Sequence, residues 1–197
     1  MSADALKPAE TAVVAGATAV VVIDMLNDFI TGVLKCDRAR AIIPNIKALL
    51  DAARAAGAHV VYSTDAHSPD HEIRVAWHPH AMAGTEGADI IPELTPQPGD
   101  HISPKTSYSA FYGTDLDEYL TAKGTKTLIL TGVLTNCCIQ YIAGEAFVRG
   151  YRIIVPENCV EALTEKEHTD ALEYIKFWFK AETPSSSELV DALSAKR

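Results

Sequence analysis

Short apolar runs rich in β-branched residues alternate along the chain with longer segments whose apolar positions recur at helical spacing. The run from Ala17 to Ile23 predicts a buried strand. Ile42 to Ala56 repeats its apolar residues with a period near 3.6 and stops at Gly57, the residue type that ends helices in a left-handed conformation, so it predicts a helix. His59 to Ser63 predicts a second strand, and a polar loop rich in His and Pro follows to about Asp89. A short strand at His101 to Ser103 precedes a helix from Leu116 to Lys123 that ends at Gly124. Thr127 to Thr131 predicts a strand, Asn136 to Arg149 a helix ending at Gly150, and Arg152 to Val155 another strand. Lys166 to Phe179 is the last long helix, with a short strand and a terminal helix expected after it.

This alternation implies a single α/β domain, residues 14–197, behind a flexible N-terminal arm of residues 1–13. Its fold class is three-layer α/β/α, with a mostly parallel, Rossmann-like open sheet and helices on both faces. In such sheets ligands bind outside the carboxyl ends of the strands, and the candidate chemistry is sought there.

Composition narrows the function classes. Across 197 residues, 48% hydrophobic and 22% charged is ordinary for a globular protein. A formal net charge of -9 with no basic stripe argues against nucleic-acid binding, since phosphate contacts need clustered Lys and Arg. The first apolar run lacks the basic flank of a signal peptide and is far short of the roughly 20 residues that span a bilayer, so no membrane role is expected. Four cysteines, Cys36, Cys137, Cys138 and Cys159, include no C-x-x-C pair, and two are adjacent. That is a poor disulfide framework and fits a reducing, cytoplasmic setting with free thiols.

Three expected strand ends carry reactive side chains: Asp24; Asp65 with His67; and the turn Gly132-Val133-Leu134-Thr135-Asn136-Cys137-Cys138. Lys105 follows the short HIS strand. Cys138 falls near the N-terminus of the Asn136–Arg149 helix, where Thr135 or Asn136 can cap and the helix dipole favours thiolate. A thiol of pKa near 8.5 is roughly 3% ionised at neutral pH, and a drop of about two units would make it mostly thiolate. The bland alternative is a buried cysteine packed as a small hydrophobe, and periodicity does not say whether Cys137 or Cys138 faces the cleft. Asp24 emerges from an apolar strand into a site where desolvation would raise its pKa and suit it to proton transfer. Lys105 could supply compensating charge, or the pair could be a salt bridge and nothing more. Asp65 and His67, two apart at a strand end, share a face, and His80 could fold back to join them. One carboxylate and two imidazoles suit Zn²⁺ or another divalent ion, with His71 or Glu72 as a further ligand. Hydrogen bonds alone could also hold that loop.

The segments VVVIDMLNDF, STDAH with WHPHAMAGTEGADI, SPKTSYSAFYGTDLDEYL and LTGVLTNCCIQYIAGEAFVRGY, in this order and spacing, resemble the isochorismatase-like cysteine hydrolases, and within them the nicotinamidase (pyrazinamidase) branch. The likeness runs from about Ala17 to at least Ala162. It implies an Asp-Lys-Cys triad of Asp24, Lys105 and Cys138, the cysteine being the one three residues after the threonine of G-x-x-T-x-x-C. It further implies a cis peptide between Val133 and Leu134, oxyanion donors in the backbone N–H groups of Leu134 and Cys138, and metal ligands at Asp65, His67 and His80. Trp77 would wall a flat ring, with Phe29 near the pocket. Leu26 stands where the family often has Gln, and Cys137 where an aromatic or aliphatic residue is usual. The implied activity is hydrolysis of a small carboxamide, nicotinamide to nicotinate, through a thioester, with no organic cofactor and in a homo-oligomer. The competing readings are a different amide, carbamoyl or vinyl ether substrate, attack by metal-bound water, a non-catalytic binding domain, and a redox role for the Cys137–Cys138 pair.

Overall fold

The computed structural model describes residues 13–70 and 77–195. Residues 1–12 of the expected arm lie outside these, and Val13, assigned to the arm from sequence, is instead buried in the core. The elements are β1 (Thr18–Ile23), α1 (Asn27–Ile30), α2 (Ile43–Ala56), β2 (His59–Asp65), β3 (His101–Lys105), α3 (Leu116–Ala122), β4 (Thr127–Val133), α4 (Gln140–Val148), β5 (Arg152–Ile154), β6 (Val160–Glu161), α5 (Glu165–Phe179) and α6 (Ser186–Ser194). Short 3₁₀ turns at Ala15–Ala17 and Asp37–Ile42 lead into β1 and α2.

The described strands form one parallel sheet in the order β3-β2-β1-β4-β5, with β6 pairing β4 beyond the end of β5. The chain runs outward from β1 to β2 and β3, then returns to the other side of β1 as β4. The order therefore reverses between β1 and β4, which is where a ligand crevice opens in an open parallel sheet. Side chains along β1 alternate between two cores. Val20 and Val22 face α2 and α6, whereas Ala19, Val21 and Ile23 face α3, α4 and α5. Because both faces are covered, β1 is apolar almost throughout rather than alternating. Helix α2 fits its groove because Ile46, Leu49, Leu50 and Ala53 lie on one stripe, and Gly57 (φ 79°) closes it in the left-handed conformation.

Three differences from the sequence pattern matter for the site. Strands β2, β3 and β4 each run two residues further than their apolar runs indicate, so they carry Asp65, Lys105 and Val133 within the sheet. Asp65 and Lys105 pair with each other across parallel strands although both side chains are charged, and Val133 pairs with Glu161 on β6. The helix expected from Asn136 begins instead with a π-helical turn, Thr135–Ile139, and no side chain caps it. The short strand expected after α5 is reduced to a single bridge between Ile154 and Glu182, and the two-residue β6 lies before α5.

Gly132 shows why this crevice needs a glycine. Its φ is 107°, and a Cβ built there would sit 2.0 Å from the carbonyl oxygen of Ile23, its register partner on β1. The close approach brings the end of β4 against the end of β1, one residue before Asp24.

Candidate active site

Lys105 ends β3 in register with Asp65 at the end of β2, and Asp24 follows the end of β1 with φ 54°. That left-handed turn is uncommon for a non-glycine residue. The Asp65 N–H donates to Asp24 Oδ1 (2.9 Å), which fixes the carboxylate. Lys105 Nζ lies 2.8 Å from Asp24 Oδ2, donates to Asp65 Oδ1, and stands 3.8 Å from Cys138 Sγ. All four side chains are buried. Adjacent parallel strands thus deliver two carboxylates to one ammonium, and the turn after β4 delivers the sulfur.

The electrostatics follow from that inventory. Burial, reinforced by the nearby Asp65 charge, raises Asp24 to about 6 despite Lys105. Burial alone would lower Lys105, but Asp24, Cys138 and Asp65 more than offset it and hold the ammonium well above the lysine range. Burial would also raise Asp65, and the Lys105 charge reverses this, leaving Asp65 below its usual value. Cys138 is pushed well above the thiol range by its hydrogen bond with Cys137, by burial and by the two carboxylates, with Lys105 opposing. The sequence pointed to a thiolate favoured by a helix N-terminus. The folded site instead surrounds the sulfur with two carboxylates and one ammonium, which favours the thiol over the thiolate and sets it beside a carboxylate that can accept the proton.

Asp65, His67 and His80 offer ligand atoms within 4.8 Å of one another, and all three are buried. The His67 and His80 rings meet edge to face at 4.9 Å, and His67 Nε2 is 3.4 Å from Asp65 Oδ2. His80 Nδ1 lies 2.6 Å from the His78 carbonyl, an acceptor only, so Nδ1 is the donor there and Nε2 is the nitrogen available to a ligand. A buried carboxylate with two buried imidazoles is a donor set that fits Zn²⁺. Asp65 belongs to both groups, with one oxygen toward Lys105 and the other toward His67. The alternative ligands His71 and Glu72 lie outside the described residues.

A cavity of about 350 Å³ opens over this floor, at the small end for ligand sites, and suits a small molecule rather than a polymer. Asp24, Asp65, His80, Leu134 and Cys138 line it, together with Phe29 and Trp77, and the Val133–Leu134 peptide is cis. Cys137 also faces the cavity. Several contributors escaped the sequence reading. Tyr108 accepts a hydrogen bond from Trp77 Nε1 (2.8 Å) and so braces that wall. Val33, Leu34, Lys35 and Leu163 come from irregular segments with no periodic signature. Asp28 accepts the Ala81 N–H (2.8 Å) and so anchors the residue after His80. Its place in the D-x-x-x-D-F segment was the available signal.

The geometry defines a small-molecule site with a thiol, a carboxylate and an ammonium in contact at the switch point of a parallel sheet. The family model described as the isochorismatase domain matches residues 18–187, and this chain belongs to that family. It is 34% identical over 186 residues to the ureidoacrylate amidohydrolase RutB of Agrobacterium fabrum, covering 80% of this chain and 78% of that one. Among solved structures, N-carbamoylsarcosine amidase from Thermoplasma acidophilum superposes with a TM-score of 0.81 at 36% identity, covering 86% of this chain and 96% of its own. Nicotinamidase PncA from Bacillus subtilis gives 0.80 at 31%, covering 85% and 99%. A pyrazinamidase from Pyrococcus horikoshii, solved in complex with zinc, gives 0.80 at 26%, covering 86% and 99%. The chain is therefore an isochorismatase-family amidohydrolase. No helix among the described residues is long and apolar enough to cross a membrane.

Proposed function

We propose that this enzyme hydrolyses a small carboxamide, nicotinamide first among them, to the carboxylate and ammonia through a thioester on Cys138. The observation that carries the reading is the contact set at the cavity floor, in which Lys105 Nζ touches Asp24 and reaches Cys138. Asp24 takes the thiol proton, and the sulfur adds to the amide carbon. The developing oxyanion is received by the backbone N–H groups of Leu134 and Cys138. Lys105 keeps the two carboxylates compatible with a nearby negative sulfur. Asp24 returns its proton to the nitrogen as the C–N bond breaks and ammonia leaves. A water molecule then gives a proton to Asp24 and adds to the thioester. As the C–S bond breaks the carboxylic acid leaves and Asp24 passes that proton to the sulfur, restoring the carboxylate and the thiol. Asp65, His67 and His80 would hold a divalent metal, which when bound supplies a Lewis acid for a ring nitrogen and so orients the substrate. Phe29 and Trp77 would flank the ring. Exposed aromatic side chains on α5, Tyr174, Phe177 and Trp178, support a homo-oligomer. Sedimentation that shows only monomer would remove that part.

The first test is ammonia release from nicotinamide by wild type, Cys138→Ala and Cys137→Ala. Turnover lost in the first variant and largely kept in the second is the expected outcome, and the reverse pattern would sink the assignment. One observation favours a second reading. Lys35 puts a cation on the cavity lining, paired with Asp37 at 3.1 Å, which would suit an N-carbamoyl or ureido acid bearing a carboxylate. Under it, Lys35→Ala raises KM for N-carbamoylsarcosine and leaves nicotinamide turnover alone.

A further inference from the structure

The hydroxyl of Thr135, which opens the turn carrying Cys138, does not cap that turn. It is fully buried and lies 3.0 Å from Nδ1 of His168, in the first turns of α5. The same nitrogen is 3.6 Å from Glu161 Oε1. Glu161 is itself held on several sides. Its Oε1 accepts the Ala162 N–H (2.9 Å), its Oε2 is paired with Arg38 (3.1 Å), and its backbone is in register with Val133. The His168 N–H donates to the Thr164 carbonyl within the capped start of α5. Three separate segments thus form one chain of contacts, Arg38 to Glu161 to His168, that ends on the threonine hydroxyl.

We propose that His168 is a positioning residue, which fixes the nucleophile turn through Thr135 while Glu161, itself held by Arg38, steadies its ring. The inference rests on the reading of Cys138 as the nucleophile. The turn is linked internally, so a shift at Thr135 is passed on. The N–H groups of Cys137 and Ile139 both donate to the Leu134 carbonyl, and that of Gln140 donates to the carbonyls of Thr135 and Cys137. Leu134 and Cys138, the two oxyanion donors, therefore move with it. The cavity walls at Phe29, Val33 and Trp77 come from other segments. Loosening the turn should then weaken stabilisation of the transition state more than binding of the substrate.

The test compares His168→Leu, which removes the ring nitrogens, His168→Asn, which keeps a polar group near the Nδ1 position, Thr135→Val, and the Leu/Val double variant. For the amide that wild type turns over, His168→Leu and Thr135→Val should each lower kcat on the order of 10–100-fold with KM changed by less than about twofold. The double variant should be no worse than the poorer single variant, because both break one contact. His168→Asn should recover most of the loss. Wild-type kcat in His168→Leu, additive losses in the double variant, or an Asn variant as impaired as Leu would overturn the proposal. If His168→Leu does not fold, Thr135→Val, which exchanges one hydroxyl for a methyl, decides by the same criteria. Should wild type cleave no amide, the reaction reading fails separately, and the rate of Cys138 alkylation by iodoacetamide, mapped by peptide mass spectrometry, takes over as readout. It should fall about tenfold in the Leu and Val variants and return in Asn. An unchanged rate would refute the positioning role.

Discussion

Replacing Lys105 by Met keeps most of the side chain's volume and removes its charge from between two buried carboxylates. At 2.8 Å and an effective dielectric constant near 20, the Lys105–Asp24 attraction alone is about 6 kcal/mol before desolvation. Part of that is cancelled, because the variant no longer buries an ammonium. Removing one partner of a buried ion pair typically leaves a net loss of about 3–5 kcal/mol. For a chain of this size that lowers the thermal midpoint by about 6–20 °C. The loss also has a signature in pH. Asp24 already titrates near 6 rather than 3.8, so its folded form binds more protons than the unfolded chain. Such a group contributes stability that is fully present below the unfolded pKa and is lost as pH rises through the folded one. In wild type that window spans about 4 to 6, and without Lys105 the folded pKa moves higher and the window extends above it. Urea unfolding of chelator-treated wild type and Lys105→Met, from mildly acidic to mildly alkaline pH, measures both effects. The deficit of the variant should shrink toward acid. A deficit below about 1 kcal/mol, or one that grows toward acid, would refute the charge inventory drawn for this site.

Gly132→Ala places a Cβ against the Ile23 carbonyl in a left-handed conformation, and denaturant unfolding should show a loss of about 2–5 kcal/mol, whereas a stable variant would mean β1 and β4 can separate freely. If Asp24 is the base, kcat/KM of the chelator-treated enzyme should fall with unit slope below about pH 6, and a flat profile through that region would remove it from the role. Calorimetry with Zn²⁺ should find one site per chain, weakened on the order of 10-fold or more in His80→Ala, and wild type that binds no zinc would take the metal out of the mechanism.

Much of this was written in the chain itself. Apolar runs and helical stripes specify strands and helices because burial on both sheet faces demands them, and the parallel α/β class follows from their alternation. The likeness of the segments around Asp24, Lys105 and G-x-x-T-x-x-C to a family's motifs nominated the residues that the fold brings into contact, whereas periodicity alone left Cys137 and Cys138 open. Distances across the sheet were not legible. Strands β2, β3 and β4 outrun their apolar stretches because a parallel neighbour supplies hydrogen bonds whatever the side chain, and those extra residues set Asp65 beside Lys105. The state of the sulfur was not legible either. A helix N-terminus argued for thiolate, but a pKa is set by every charge within a few ångströms, and the second carboxylate comes from a different strand. The same holds for Thr135. Its local position suggested a cap, and its actual partner, His168, lies 33 residues away on α5, a pairing that only the packing of that helix against the turn could decide.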